Sequence, residues 1–531
     1  MSYFLTKVTL LRTTQPGLIP RAAGLFFLFL LIGVELLKIL DINDGMFVYT
    51  LDDPYIHLAL AENILRGHYG INLNEFSAPS SSVLWPFILA PVSWSPISPL
   101  ILNTLCAIGV TLTFCNIIEF STREIDTPYH EAIKSILLIL FILCTNLVGL
   151  VFIGMEHTLQ VFVVALIAYG LLLESRTSVV RRWLFPAIVL APLVRYECLA
   201  ISAAAILYLA VRGHRKPAAA AASLTISFLA GFSFFLLAHD LGYVPTSVDA
   251  KLIPLGEDAT LFSILRTQMI IQLQRQGVII LVGGYIAYAL LVISRYLGEE
   301  SLRQILLLTV VAVLLHFLFG KTNWYNRYEI YLWTFLLINI FYAAARIFTI
   351  KRGSVISGKK SIALLTGLSC LLIIASWPYL TALTTIPLAS TNVYQQQYQM
   401  SRFVSEYYQG PVAVNDIGYV SYKNDFYVLD FWGLASAESL QNRRDESDTQ
   451  WMIGMLDERN IELVMMYDFL IAESQEGFLP LGELILGNER VTPAGDRVSF
   501  YATENSDIDT IQTLLGQFAQ SLPENTEFIF R

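Results

Sequence analysis

Charge is scarce in this chain. Of 531 residues, 15% are charged and 55% hydrophobic, with a mean hydropathy of +0.58. A soluble protein is excluded, because so few charges cannot cover a water-facing surface of this size, and the bilayer must act as solvent. Cysteine is sparse as well. The five cysteines (Cys106, Cys115, Cys144, Cys198, Cys370) all fall in apolar stretches and show no metal-ligand spacing. That excludes a disulfide framework and a zinc ribbon, and leaves them as small apolar residues within helices. Basic residues are short in the last quarter: from Thr391 onward, eight Lys and Arg face 22 Asp and Glu. The tail therefore carries about −14 of a net −9, leaving about +5 for the rest. So acidic a tail argues against a nucleic-acid partner. It also has no Gly-rich loop following a strand, so a nucleotide site is not indicated. No internal repeat of the kind that builds two-halved transporters is present.

Long apolar runs are what the chain does have. Ala22 to Leu40 makes a first span behind Lys7, Arg12 and Arg21. It is too long for a signal-peptide core and has no small-residue cleavage site after it, so a retained anchor is expected. Further spans are expected within Pro99 to Phe120, Ile133 to Phe152, Leu159 to Leu173, Ala218 to Ala238, Val278 to Ile293, Ile305 to Phe319, Ile330 to Ala345 and Ile362 to Leu383. Trp183 to Val211 has basic residues at both ends and Arg195-Tyr196-Glu197 in its middle. Two half-length helices meeting at the outer face fit that pattern. The total is about eleven membrane helices, two of them short. The placement of basic loops puts the amino terminus inside the cytoplasm and the tail outside. The expected fold is a polytopic α-helical membrane domain over residues 1–389, with a first outer loop at 41–82, followed by an extracytoplasmic α/β domain over 390–531. Pro411 to Val414, Tyr427 to Leu429, Ile461 to Met465 and Arg497 to Tyr501 read as strands of that domain, and Thr510 to Leu522 reads as a helix.

The candidate chemistry begins at Leu51-Asp52-Asp53-Pro54-Tyr55-Ile56-His57, just past the first span. Asp53 precedes Pro54, and a helical pattern runs to Arg66 before Gly67, so Asp53 also reads as a helix cap. The two roles are compatible. A carboxylate at a helix N-terminus is favoured as the anion, the form a general base needs. Asp52 and Asp53 together could also hold a divalent cation such as Mg, Mn or Ca. Glu156, in Gly154-Met155-Glu156-His157, lies at the outer end of a helical hairpin, where a polar turn is the plain alternative. Arg195 and Glu197 are two apart and would not share a face of a regular helix, so either the backbone breaks there or they serve different partners. Charges inside a membrane domain are costly and are functional candidates, with a structural ion pair as the alternative. Lys251, Lys321 and Arg327 lie in outer loops and could grip a phosphate, although interfacial snorkelling is the simpler account of Lys321. Asp507-Ile508-Asp509 matches a short acidic motif of soluble nucleotide-sugar enzymes, but stands in a helical tail without a nucleotide fold.

These residues, taken in order, resemble the GT-C membrane glycosyltransferases. The resemblance rests on the Asp52-Asp53 pair after the first helix, a Gly-containing turn, the Ser-rich patch from Ser77 to Ser82, and Trp85-Pro86 entering the next span. It continues through Gly154-Met155-Glu156, Arg195-Tyr196-Glu197, Pro245-Thr246-Ser247 with Lys251, and Arg327-Tyr328. In the tail, Asp416-Ile417-Gly418-Tyr419 and Leu429-Asp430-Phe431-Trp432-Gly433-Leu434 are similar to the branch that includes cell-wall arabinofuranosyltransferases. The chain departs from that branch at Ser80-Ser81-Ser82, at Tyr196 in place of a proline, and at His157 in place of a threonine. The resemblance implies an inverting glycosyl transfer, outside the cytoplasm at the plasma (inner) membrane, from a polyprenyl-phosphate sugar to a cell-envelope acceptor. A pentofuranose such as arabinofuranose is the favoured sugar. Asp52 or Asp53 would be the base, and Glu156, Arg195, Glu197, Lys251, Arg327 and Tyr328 would bind substrate or phosphate. Related transfers of mannose, an aminosugar or an oligosaccharide are the near alternative, and a transporter or flippase is the distant one. A ligand-binding sensor would have no need of the acid pair.

Overall fold

The computed structural model describes residues 17–125, 128–250, 299–321, 327–350, 374–445, 449–471 and 477–531, with scattered positions between 263 and 293 and residue 325. Seven helical runs of 20 to 25 residues are long and apolar enough to cross a bilayer, since about 20 residues at 1.5 Å each span the hydrocarbon core. The protein is therefore a polytopic integral membrane protein. In chain order the elements are α1 (Leu18–Ile42), a short α2 (Asp53–Leu65), α3 (Ser98–Thr122), and α4 (His130–Cys144) with its continuation α5 (Leu147–Ile153). These are followed by α6 (His157–Thr177), α7 (Leu184–Val194), α8 (Leu199–Val211), α9 (Arg215–Leu237), α10 (Glu300–Phe319) and α11 (Ile330–Ile350). At the centre, α6 packs against α3, α7 and α11. Of the eleven spans expected, these seven runs and the half-length α7 and α8 are present. The span at Val278 to Ile293 falls largely outside the described residues, and that at Ile362 to Leu383 partly so.

Two local expectations change. The cap of α2 is Asp52, with Asp53 and Pro54 in the first turn, and the Asp52 side chain makes no cap bond. It is used elsewhere. The third span is also not one straight helix: Asn146 adopts a left-handed conformation (φ 48°) between α4 and α5.

The break between α7 and α8 has a clear physical cause. Pro192 has no N–H, so it leaves the carbonyl of Ile188 without its helical partner. The Ser202 hydroxyl of α8 donates to that carbonyl at 2.8 Å. Arg195 then turns extended (φ −154°, ψ 136°), and the freed carbonyl of Leu193 accepts from the N–H groups of Val83 (3.0 Å) and Leu84 (3.1 Å). The broken helix thus holds the Ser-rich patch in place.

After α12 (Trp377–Thr384) and α13 (Ile386–Gln395), the tail folds around a six-stranded mixed sheet. Its strands are β1 (Val412–Val414), β2 (Val428–Asp430), β3 (Leu463–Met466), β4 (Leu479–Ile485), β5 (Arg497–Ala502) and β6 (Glu527–Phe530), in the order β2-β1-β3-β5-β4-β6. β1 pairs in parallel with both β2 and β3, and the remaining pairs are antiparallel. The chain passes from β1 to β2 through α14 (Gly418–Ser421). It then crosses back over β1 to reach β3 through α15 (Ala437–Asp445) and α16 (Gln450–Arg459). The four expected strands are found; β4 and β6 are additional. The expected helix is α17 (Ile508–Ala519), and Asp507 caps it by accepting the Thr510 N–H at 3.2 Å. A capping role accounts for the acidic motif there.

The sheet domain sits on the loop that carries α2. Asn72 serves the open edge of β2, accepting the Val428 N–H and donating to the Val428 carbonyl, both at 3.0 Å. The rings of Tyr55 and Tyr419 lie 3.8 Å apart between centroids. The Tyr422 hydroxyl donates to the Ser93 carbonyl at 3.0 Å.

Candidate active site

Adjacent in sequence, Asp52 and Asp53 point to different partners. Asp52 accepts two backbone N–H bonds from the sheet domain, from Gly418 at 2.6 Å and Tyr419 at 2.8 Å. Gly418 has to be glycine, since a Cβ there would stand 2.2 Å from the Asp52 carbonyl oxygen. Gly418→Ala is expected to loosen the seam between the two parts by about 1–3 kcal/mol, as overpacking does. Protease sensitivity between residues 385 and 425 and the melting temperature in detergent check this. An unchanged seam would show that the contact is not structural.

Asp53 turns the other way, its Oδ2 lying 2.7 Å from Nη1 of Arg327. Arg327 is 3% exposed, and its Nε is buried without a hydrogen-bond partner. Behind it lies a second guanidinium. Arg195, 1% exposed, reaches Glu156 at 2.6 Å and grips both oxygens of Glu197, at 2.9 and 3.3 Å. The extended backbone at residue 195 brings this pair together, so of the two expectations the break is the one realised. Both guanidinium carbons lie over the Tyr328 ring, 5.5 Å away for Arg195 and 5.3 Å for Arg327. Gly154 (φ +75°) lets the hairpin carrying Glu156 approach Tyr49 and Pro54, where a Cβ would come within 2.5 Å and 2.9 Å of their side chains.

The predicted residues Asp53, Glu156, Arg195, Glu197, Arg327 and Tyr328 thus form one connected group, with Asp52 beside it in the seam. Lys251 lies outside the described residues. Sequence reasoning missed several members. His57 is buried, with Nε2 3.6 Å from Glu156 and Nδ1 3.1 Å from the Ser80 hydroxyl. Its place one turn after Asp53 on α2 was the available signal. Asp416 was visible only as part of a tail motif. Its Oδ2 accepts from Gln397 at 2.8 Å and from Tyr467 at 2.9 Å. Asp52, Asp53, Asp416, Gln397, Tyr467, Trp432 and Phe469 all line a cleft of about 320 Å³ between the two parts of the chain.

Burial, and then the Asp416 carboxylate, push the Asp52 carboxyl up to about 8, against the two N–H groups that favour its anion. Asp416 is raised too, by its own burial and by Asp53. An isolated aspartate ionises near 3.9. Between these pH values the docked state holds more protons than the separated one, so docking is strongest below about pH 4 and weakens as pH rises through about 8. Asp416→Asn removes one of the two charges and is expected to flatten that profile. A pH series of seam proteolysis on both proteins checks this, and a wild-type seam that tightens with pH would contradict it.

No curated protein matches the chain. Residues 390–501 match a family described as a domain of unknown function (DUF8728). In overall structure the chain is similar to an oligosaccharyltransferase of Archaeoglobus fulgidus in the apo form, with 11% identity and a TM-score of 0.41, covering 91% of this chain and 75% of that one. It is also similar to the oligosaccharyltransferase AglB of that organism in complex with an inhibitory peptide and a dolichol-phosphate (10% identity, TM-score 0.42, 95% and 76% covered). A third similar structure is a mutant of the arabinofuranosyltransferase AftD from Mycobacteria (13% identity, TM-score 0.42). There 91% of this chain is covered, and it spans 42% of the length of that chain.

A divalent cation on the acid pair would have to share its ligand oxygens with hydrogen bonds already made. Both Asp52 oxygens and Oδ2 of Asp53 are engaged by N–H groups, whereas a hard cation needs several free oxygens. Among the described residues no group of three or more His, Cys, Asp or Glu is placed to hold a metal.

Proposed function

We propose that this chain is a GT-C membrane glycosyltransferase that moves a sugar, with inversion, from a polyprenyl-phosphate donor to a cell-envelope acceptor outside the cytoplasm. Asp53 is the general base. The observation that carries this reading is the Asp53–Arg327 pair, a carboxylate on the wall of a cleft beside a buried guanidinium with one N–H direction unused. A phosphate is a natural second partner for such a guanidinium. The acceptor hydroxyl oxygen attacks the anomeric carbon, and its proton passes to the Asp53 carboxylate. The bond from that carbon to the phosphate oxygen breaks, and polyprenyl phosphate leaves with the electron pair. Arg327, with Arg195 behind Tyr328, stabilises the developing phosphate charge. Glu156 and Glu197 hold Arg195 in position. Lys251 is a further candidate for the phosphate. The amino terminus is cytoplasmic and the sheet domain extracytoplasmic, as the basic loops require. The similar structures include an arabinofuranosyltransferase and an oligosaccharyltransferase with a dolichol-phosphate. That donor class, with a pentofuranose favoured, is proposed here because the ordered motifs of this chain resemble those of the arabinofuranosyltransferase branch.

The test uses purified protein in nanodiscs with radiolabelled polyprenyl-phosphate pentose and hexose donors, following release of the lipid phosphate. Turnover of one donor that is lost in Asp53→Asn while binding persists supports the reading and names the sugar class. If no donor is bound or turned over, the transferase reading fails and a lipid transporter takes its place.

A further inference from the structure

In open α/β sheets, ligands bind beyond the carboxyl ends of parallel strands, where the connections of neighbouring strands diverge. The sheet domain has one such place. From β1 the chain leaves to one side to form β2, then crosses back to form β3 on the other side, so the divergence lies at the carboxyl end of β1. Asn415 and Asp416 follow β1 directly, Trp432 and Leu434 follow β2, and Tyr467, Phe469 and Leu470 follow β3. All of these line the cleft whose opposite wall is Asp52, Asp53 and Ile56. The sheet therefore presents its ligand-binding end to the membrane acids.

The chemistry of that end points to a particular ligand. Trp432 (39% exposed) and Phe469 (62% exposed) line the cleft, and the Phe469 ring stacks on that of Tyr467, 5.4 Å between centroids. Such large rings on the surface mark a contact site. The loop bearing Trp432 is held by buried Asp430, which accepts the N–H groups of Trp432 (2.8 Å) and Ala435 (2.7 Å). Arg443 lies 3.9 Å from the Trp432 ring centroid and steadies it. The same cleft is lined by Asp416, Gln397 and Tyr467, joined by hydrogen bonds. Aromatic rings together with paired acceptors and donors suit a sugar, which has C–H faces to stack and hydroxyls to bond. Among the described residues, no cationic side chain is part of the cleft lining itself.

We propose that this crevice seats the acceptor as a saccharide, with Trp432 and Phe469 as its stacking surfaces and Asp416, Gln397 and Tyr467 as its hydroxyl partners. The inference rests on the proposed transfer reaction for the identity of the ligand as acceptor, but saccharide binding is a separate property. The rings bind and orient, and Asp53 alone takes the proton.

Saturation-transfer NMR on the full chain in nanodiscs, with methyl arabinofuranoside, methyl mannoside and short oligomers of each, tests this directly. At least one saccharide is expected to bind wild type, and to weaken by about tenfold or more in Trp432→Ala and Phe469→Ala. Trp432→Phe should recover part of the loss. Phe469 is exposed enough that its truncation leaves the fold intact. Saccharide binding unchanged in both alanine variants overturns the assignment, as does the absence of any saccharide binding. Binding of a Ser- or Asn-containing peptide in their place, lost in Trp432→Ala, overturns the ligand class. Lipid-phosphate release measured on the same samples separates this outcome from failure of the transferase reading, because the crevice can bind sugar whether or not a donor is turned over.

Discussion

Asp53→Asn is expected to lower transfer from a polyprenyl-phosphate sugar by about two to four orders of magnitude, the usual contribution of a general base. Donor binding should fall far less, because Arg327 is freed from its carboxylate partner and can still meet a phosphate. Asp52→Asn should behave differently. Its amide keeps an acceptor oxygen for the N–H groups of Gly418 and Tyr419 and removes the buried charge whose ionisation weakens docking, so the seam holds near neutral pH, its weakening toward pH 8 is reduced, and the rate falls only modestly. Single-turnover release of lipid phosphate in the two variants, with melting temperatures alongside, separates the roles. Equal loss in both, with an intact seam, would place the base on Asp52 and remove the distinction drawn here.

The second large effect lies in the buried ion group. Arg195→Met leaves Glu156, which is fully buried, without its guanidinium. Breaking a buried pair in this way costs about 3–5 kcal/mol, while replacing both charges by neutral groups costs much less. Arg195→Met is therefore expected to melt well below wild type, and Arg195→Met with Glu156→Gln to recover most of the loss. If Arg195 acts on the donor phosphate, the double variant stays inactive despite its recovered stability. A double variant that is stable and fully active would reduce Arg195 to a structural part.

Much of the membrane architecture was legible because its signals are local. Hydropathy marks a span within twenty residues, and Arg195-Tyr196-Glu197 between two apolar halves announced the break before Pro192 and Ser202 explained it. The strands β1, β2, β3 and β5 were readable as apolar runs. β4 was not, because it opens with the exposed pair Leu479 and Pro480 and contains Gly482. β6 is four residues at the chain end with one buried side chain. The candidate site was half legible. Charges in apolar surroundings single themselves out, which is how Arg195 and Glu197 were found, while Glu156 and Arg327 stood out as charges at outer turns and loops. Partnership across hundreds of residues is not written locally. Nothing near Asp52 indicates that Gly418 and Tyr419 will bind it, and Asp53, the acid directly before Pro54, reads as the cap because caps are what such sequences usually make. His57 was passed over for a similar reason, since on α2 it reads as one more residue facing the core.

The bond from Asp52 to α14 also has a mechanical meaning. Consecutive Cα atoms are 3.8 Å apart across a rigid peptide plane, so Asp52 is a one-residue lever arm on Asp53. Strain in the sheet domain is carried to the base through a single peptide unit, with no flexible linker between. A tether or antibody that pulls on the sheet domain is therefore expected to act on Asp53, which transfer rates measured with and without such a tether would check. The sheet domain is thus a handle on the proposed base.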